Sequence, residues 1–136
     1  MTKFINLHTH QVSNNTDEIA IVNQYPNDFN ENSTPCSIGI HPWYIDIDRL
    51  DIDLEIIKKR IQQNNVLALG ECGLDKRITT DLSIQKHVFE QQILLAQVYK
   101  KPLIIHCVAA FEELIAIKKQ YSISVPIVIH GFSKNK

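Results

Sequence analysis

The sequence predicts an α/β protein built on a parallel sheet. Short apolar runs alternate along the chain with segments of helical periodicity, the order that parallel strands and crossover helices require. The run Val66-Leu67-Ala68-Leu69 is apolar without alternation, as expected of a strand covered on both faces. Four apolar runs end in side chains able to bind a metal, which puts polar chemistry at one end of the predicted sheet.

Phe4-Ile5-Asn6-Leu7 reads as a first strand, ending at His8-Thr9-His10. Glu18 to Asn23 is a second. The Pro/Asn-rich stretch from Tyr25 to Pro35 reads as loop, with room for at most a turn or two of helix. Ser37 to Ile40 is a third strand, cut off by His41-Pro42. A helix is predicted from about Leu50 to Gln63, because Leu50, Leu54, Ile57 and Ile61 share one stripe. Asp46, Asp48 and Asp51 stand at its beginning, where carboxylates cap and suit the helix dipole. Val66 to Gly70 is the fourth strand and delivers Glu71 at its end. A long helix follows from about Ser83 to Tyr99, with Ile84, Val88, Leu95 and Tyr99 along one side and Phe89, Ile93 and Ala96 beside them. Leu103 to His106 is the fifth strand, Phe111 to Lys119 a helix, and Ile127 to His130 the sixth strand, with Gly131 opening a turn.

A length of 136 residues suits one domain, residues 1–136. With 14 Lys+Arg against 15 Asp+Glu and 44% hydrophobic residues, the composition excludes a disordered chain and a polyelectrolyte tail. No run of about 18 apolar residues exists to span a membrane, and the N-terminus lacks the apolar core of a secretion signal. Cys36, Cys72 and Cys107 are odd in number and form no C-x-x-C pair, which argues against a disulfide framework and for a reducing, cytoplasmic setting. Cys72 and Cys107 directly follow Glu71 and His106, so strand alternation should turn both thiols away from the site and into the packing.

His8, His10, Glu71, His106 and His130 carry the chemistry. A single histidine at a strand end is more often a hydrogen-bonded structural residue than a ligand. Four polar terminations of ligand type, each costly to bury unpaired, read together as a metal site. His8 and His10 lie two apart and face one way on an extended backbone, so they can grip one ion together. Imidazole and carboxylate suit zinc and its transition-metal neighbours. Four histidines and a glutamate exceed what one ion needs, and a glutamate has two oxygens to share between two ions; a two-metal hydrolytic site is the economical reading.

In these motifs the chain resembles the TatD-like metal-dependent hydrolases, a DNase family among the amidohydrolase-type barrels. The residues that carry the resemblance are His8-Thr9-His10, Gly39-Ile40-His41-Pro42-Trp43, Ala68-Leu69-Gly70-Glu71-Cys72-Gly73-Leu74-Asp75, Pro102-Leu103-Ile104-Ile105-His106-Cys107 and Ile129-His130-Gly131-Phe132. They stand in the family's order and span nearly the whole chain.

The resemblance implies a TIM-type (β/α) barrel and hydrolysis of phosphodiester bonds, DNA first, with two divalent ions (Zn, Mg or Mn). It implies that His8 and His10 bind the first ion, that Glu71 is the bridging catalytic carboxylate, and that His106 and His130 bind the second. It places His41 over the metal face, in reach of a substrate phosphate, with a hydrogen bond to its own loop as the plainer role. Trp43 and Tyr44 read as stackers for a base or as packing against the next helix, and Asp75 as part of the substrate mouth.

Barrels of this type run to about 250 residues. Six of eight strands are read here, and the family's last two strands and final metal-binding aspartate have no counterpart among the 136 residues. An incomplete barrel is therefore expected, one that binds a divalent metal, cleaves DNA weakly or not at all, and is open to self-association through its edges. Two other readings share the H-x-H motif: a metal-binding but inactive barrel fragment, and an amidohydrolase-type enzyme acting on a small C–N or ester substrate.

Overall fold

The computed structural model describes residues 4–9, 18–30 and 34–133. Strands β1 (Phe4–Thr9), β2 (Glu18–Gln24), β3 (Cys36–Ile38), β4 (Val66–Asp75), β5 (Leu103–Val108) and β6 (Ile127–Ser133) form one sheet in sequential order. Every neighbouring pair is parallel. Helices α1 (Leu50–Arg60), α2 (Leu82–Tyr99) and α3 (Phe111–Gln120) fill the last three connections. Parallel strands that follow one another without reversal, joined by right-handed crossovers, carry their helices on one face and build toward a barrel. The expected partial (β/α) barrel is the fold observed. Between β2 and β3 the described residues hold only a 3-10 turn at Pro26–Asp28, as the shortness of that loop required.

Local chemistry sets the helix ends. Asp46 caps a 3-10 turn (Ile47–Arg49) by accepting the Asp48 N–H at 3.0 Å, and α1 starts directly after it. Asp51 and Asp53 occupy the first turn of α1, and Lys58, Lys59 and Arg60 the last, each sign opposite the local helix pole. The helix stops at Arg60, three residues short of the predicted Gln63, once Ile57 and Ile61 have been buried. Asp81 starts α2 by accepting the Ser83 N–H at 3.0 Å, and Lys100, in the left-handed region, ends it ahead of Pro102.

The largest departure from the sequence reading is β4, which runs past Gly70 to Asp75 and pairs with β5 as far as Val108. Gly70 and Gly73 have φ of 153° and 141°, and a Cβ on either would strike a β5 backbone oxygen, that of Ile104 or of His106. A bare backbone at these two places lets β4 and β5 stay paired while Glu71 and His106 come together. All of β4 is buried except Leu67, and the core behind it gathers Ile38, Ile57, Phe89, Ile93 and Ile105. Cys72 and Cys107 lie in that core, as alternation predicted, and burial, followed by the charge of Glu71, pushes the Cys72 thiol well above its ordinary range.

Gly73→Ala should cost about 1–3 kcal/mol from the backbone strain alone, with the clash against the His106 carbonyl in addition. Urea unfolding measures it, and an unchanged midpoint would mean that the two strands separate freely at this point.

Candidate functional site

Three elements bring their ends together. β4 supplies Glu71 and Asp75, β5 supplies His106, and His41 precedes a 3-10 turn (Pro42–Tyr44) that follows β3. All four side chains are buried. Ligand atoms of His41, Glu71 and His106 lie within 4.8 Å of one another, a metal-capable group among the described residues. His41 Nε2 stands 2.9 Å from Glu71 Oε1, and His106 Nδ1 stands 3.4 Å from the same oxygen.

The proton positions follow from the other contacts. Asp75 Oδ2 accepts the indole N–H of Trp43 at 2.7 Å, and Oδ1 accepts the Arg77 N–H at 2.9 Å. Burial would raise the Asp75 carboxyl, but hydrogen bonds from Trp43, His106 and Arg77 outweigh it and hold the group below its usual range. An ionised Asp75 can only accept, so His106 Nε2, 3.0 Å from Oδ2, carries the hydrogen. The neutral His106 ring therefore turns the Nδ1 lone pair toward Glu71 Oε1. Two electron-rich atoms 3.4 Å apart call for a cation between them, a proton or a metal ion. Burial would lower the His106 pKa, yet the Glu71 and Asp75 carboxylates together raise it, which is the proton's version of the same preference. A carboxylate behind a ligating histidine is the usual support of a metal site.

His41 works differently. Its Nδ1 accepts the Trp43 backbone N–H at 3.1 Å, so the neutral ring has its hydrogen on Nε2, 2.9 Å from Glu71 Oε1. An Nε2–H has no lone pair for an ion. Proximity alone groups His41 with the ligands, but the Trp43 amide on Nδ1 leaves Nε2 as the protonated nitrogen, a donor.

Two buried glutamines on α2, seven residues apart, fix the backbone around the site. Gln92 accepts the Ile40 N–H at 2.7 Å and donates to the Ile40 carbonyl at 3.2 Å, next to His41. Gln85 does the same for Asp75, at 2.8 and 3.0 Å.

Of the residues singled out in the sequence, the structure brings together Glu71, His106 and His41. His130 pairs in register with His106 on the neighbouring strand and lies outside the group within 4.8 Å. The backbone of His8 is near the C-terminal end of β1, and His10 lies outside the described residues. Trp43 and Tyr44 are 54% and 57% exposed, so neither is packed under the next helix. Asp75 is no solvent-facing mouth residue; it is 2% exposed and holds His106. Sequence reasoning missed Gln85 and Gln92, although polar residues seven apart on the apolar side of a helix were the available signal.

A family model described as TatD related DNase matches residues 1–136. An uncharacterized metal-dependent hydrolase of Bacillus subtilis, YabD, is 38% identical over 100 residues, 71% of this chain and 38% of that protein. The 3'-5' ssDNA/RNA exonuclease TatD of Pantoea ananatis is 30% identical over 97 residues, 70% of this chain and 37% of that protein. The crystal structure of YJJV, a TatD homolog from Escherichia coli K12, superposes with a TM-score of 0.71 at 26% identity, covering 85% of this chain and 49% of that one. The chain thus spans less than half the length of these relatives.

Proposed function

Because this chain belongs to the TatD related DNase family, we propose that it is a metal-dependent phosphodiester hydrolase acting on DNA or RNA through a two-ion site. The observation that carries this reading is the Glu71–His106 pair, buried, with facing lone pairs and Asp75 fixing the ring from behind. In it Glu71 is the shared catalytic carboxylate, His8 and His10 complete the set on one side, and His106 and His130 on the other. When bound, divalent ions such as Zn, Mg or Mn polarise the phosphoryl group and make water acidic enough to attack near neutral pH.

The chain's own residues do the rest. Asp75 holds the His106 hydrogen on Nε2 and leaves Nδ1 as the ligating atom. His41, with Nδ1 occupied by the Trp43 amide, offers Nε2–H to a phosphate oxygen once Glu71 is engaged by metal. The loop hydrogen bond and the phosphate contact are thus one arrangement rather than rival roles. The nuclease named among the relatives supports a nucleic-acid substrate.

The same reading takes residues 1–136 as one partial-barrel domain that self-associates along β6, where Val128 and Ile129 are exposed. Among the described residues no helix is long and apolar enough to cross a membrane. The buried free thiols of Cys36, Cys72 and Cys107 support a reducing, cytoplasmic location.

Calorimetric titration with Zn²⁺ and Mn²⁺, followed by cleavage of a single-stranded oligonucleotide, tests the proposal. Saturable binding with metal-dependent cleavage is expected. Binding without cleavage of DNA or RNA would leave the inactive metal-binding reading, and no binding at all would overturn the site.

A further inference from the structure

We infer that the cavity beside the Glu71–His106 cluster is a nucleobase subsite, in which a base adjoining the cleaved phosphodiester stacks on Tyr44. The inference rests on the phosphodiester reading above and adds to it what the substrate must present. The cavity, about 590 Å³, lies between the loops that follow β2 and β3 and shares His41 with the cluster. Its volume falls in the range of ordinary small-molecule sites.

An aromatic wall leads from the site into this cavity. The rings of His41 and Tyr44 are 5.4 Å apart, and those of Tyr44 and Tyr25 are 5.2 Å apart at 70°. Tyr44 stands more than half in water at the cavity, a stacking platform of the kind that binds unpaired bases irrespective of sequence. On the cavity wall, Arg49 Nη2 pairs with Asp53 Oδ1 at 3.1 Å, while the buried Arg49 Nε–H has no acceptor among the described residues. A base carbonyl or ring nitrogen would answer that donor, whose neglect otherwise costs free energy.

Charge separates a base from a second phosphate. The carboxylates of Asp28, Asp46 and Asp53 line the cavity against the single guanidinium of Arg49. An anion is repelled there, whereas a neutral base with both donors and acceptors is accommodated. A base held in a duplex cannot turn into the cavity, so the subsite selects unpaired nucleotides.

Trp43, the chain's one tryptophan, lies 4.9 Å from the His41 ring and reports on binding by fluorescence. The chain is titrated, in chelator so that nothing is cleaved, with a single-stranded trinucleotide and with its abasic counterpart. The base-bearing strand should bind about five- to a hundredfold more tightly, the range of one stacking contact. Tyr44→Ala should abolish that difference and Tyr44→Phe, which keeps the ring, should restore it; the exposure of Tyr44 spares the core in both. Equal binding of the two strands by the parent chain, or a difference that survives Tyr44→Ala, would overturn the subsite while leaving the phosphodiester reading standing. Failure of the base-bearing strand to bind would also overturn the subsite, whereas the phosphodiester reading, whose phosphate contacts need the ions, stands or falls by metal-dependent cleavage.

Discussion

Glu71→Gln should lower divalent-ion affinity by about a hundredfold or more, since loss of an outer support alone costs ten- to a hundredfold, and should abolish metal-dependent cleavage. Glu71 is 2% exposed, and its Oε1 stands 2.9 Å from His41 Nε2 and 3.4 Å from His106 Nδ1. It is the one carboxylate of the metal-capable group. Glutamine keeps the shape and removes the charge that attracts a divalent ion. Calorimetric titration reads the affinity, and thermal unfolding in chelator checks that the variant is folded. If the folded variant binds metal as the parent does, Glu71 is a structural residue.

The parts of this fold that were legible in the sequence are those where one physical signal dominated. Val66 to Leu69 announced a strand because burial on both sheet faces leaves no reason for polar residues, and α2 announced itself through Val88, Phe89, Ile93 and Ala96 on one face. The second half of β4 was not legible. Gly70 and Gly73 argue against a strand by propensity, and only the approach of the β5 backbone shows why glycine stands there. The same division runs through the site. Glu71 and His106 could be named because each follows an apolar run, but the role of Asp75 depends on a contact across 31 residues of chain. Whether His41 donates or ligates turned on which ring nitrogen meets the Trp43 amide, a fact of loop geometry that residue identity does not contain.

Asp75→Asn isolates that hidden part of the site and should weaken metal binding ten- to a hundredfold. Asp75 accepts on both oxygens: Trp43 and His106 at Oδ2, the Arg77 amide at Oδ1. An asparagine must turn its NH₂ toward one of these. Facing Arg77 it sets donor against donor. Facing His106 it drives the ring hydrogen to Nδ1 and removes the lone pair meant for the ion. The pH dependence gives a second, independent readout. His106 has a folded pKa above its unfolded value of about 6.5. Its contribution to the metal-free fold is therefore complete below that value and is lost as pH rises through the folded pKa. Asp75, held below its ordinary range, contributes above about 3.8 and loses that contribution as pH falls. The metal-free parent should accordingly lose stability as pH rises from 6 to 8, while its metal affinity rises over the same interval because the ion must displace a proton from His106. In Asp75→Asn, with one of the two carboxylates that raise His106 gone, the fall in Tm between pH 6 and 8 should shrink and the pH dependence of metal affinity should flatten. A parent Tm that is level across this interval, or a variant that reproduces the parent's slope, would show that Asp75 does not govern the protonation of His106.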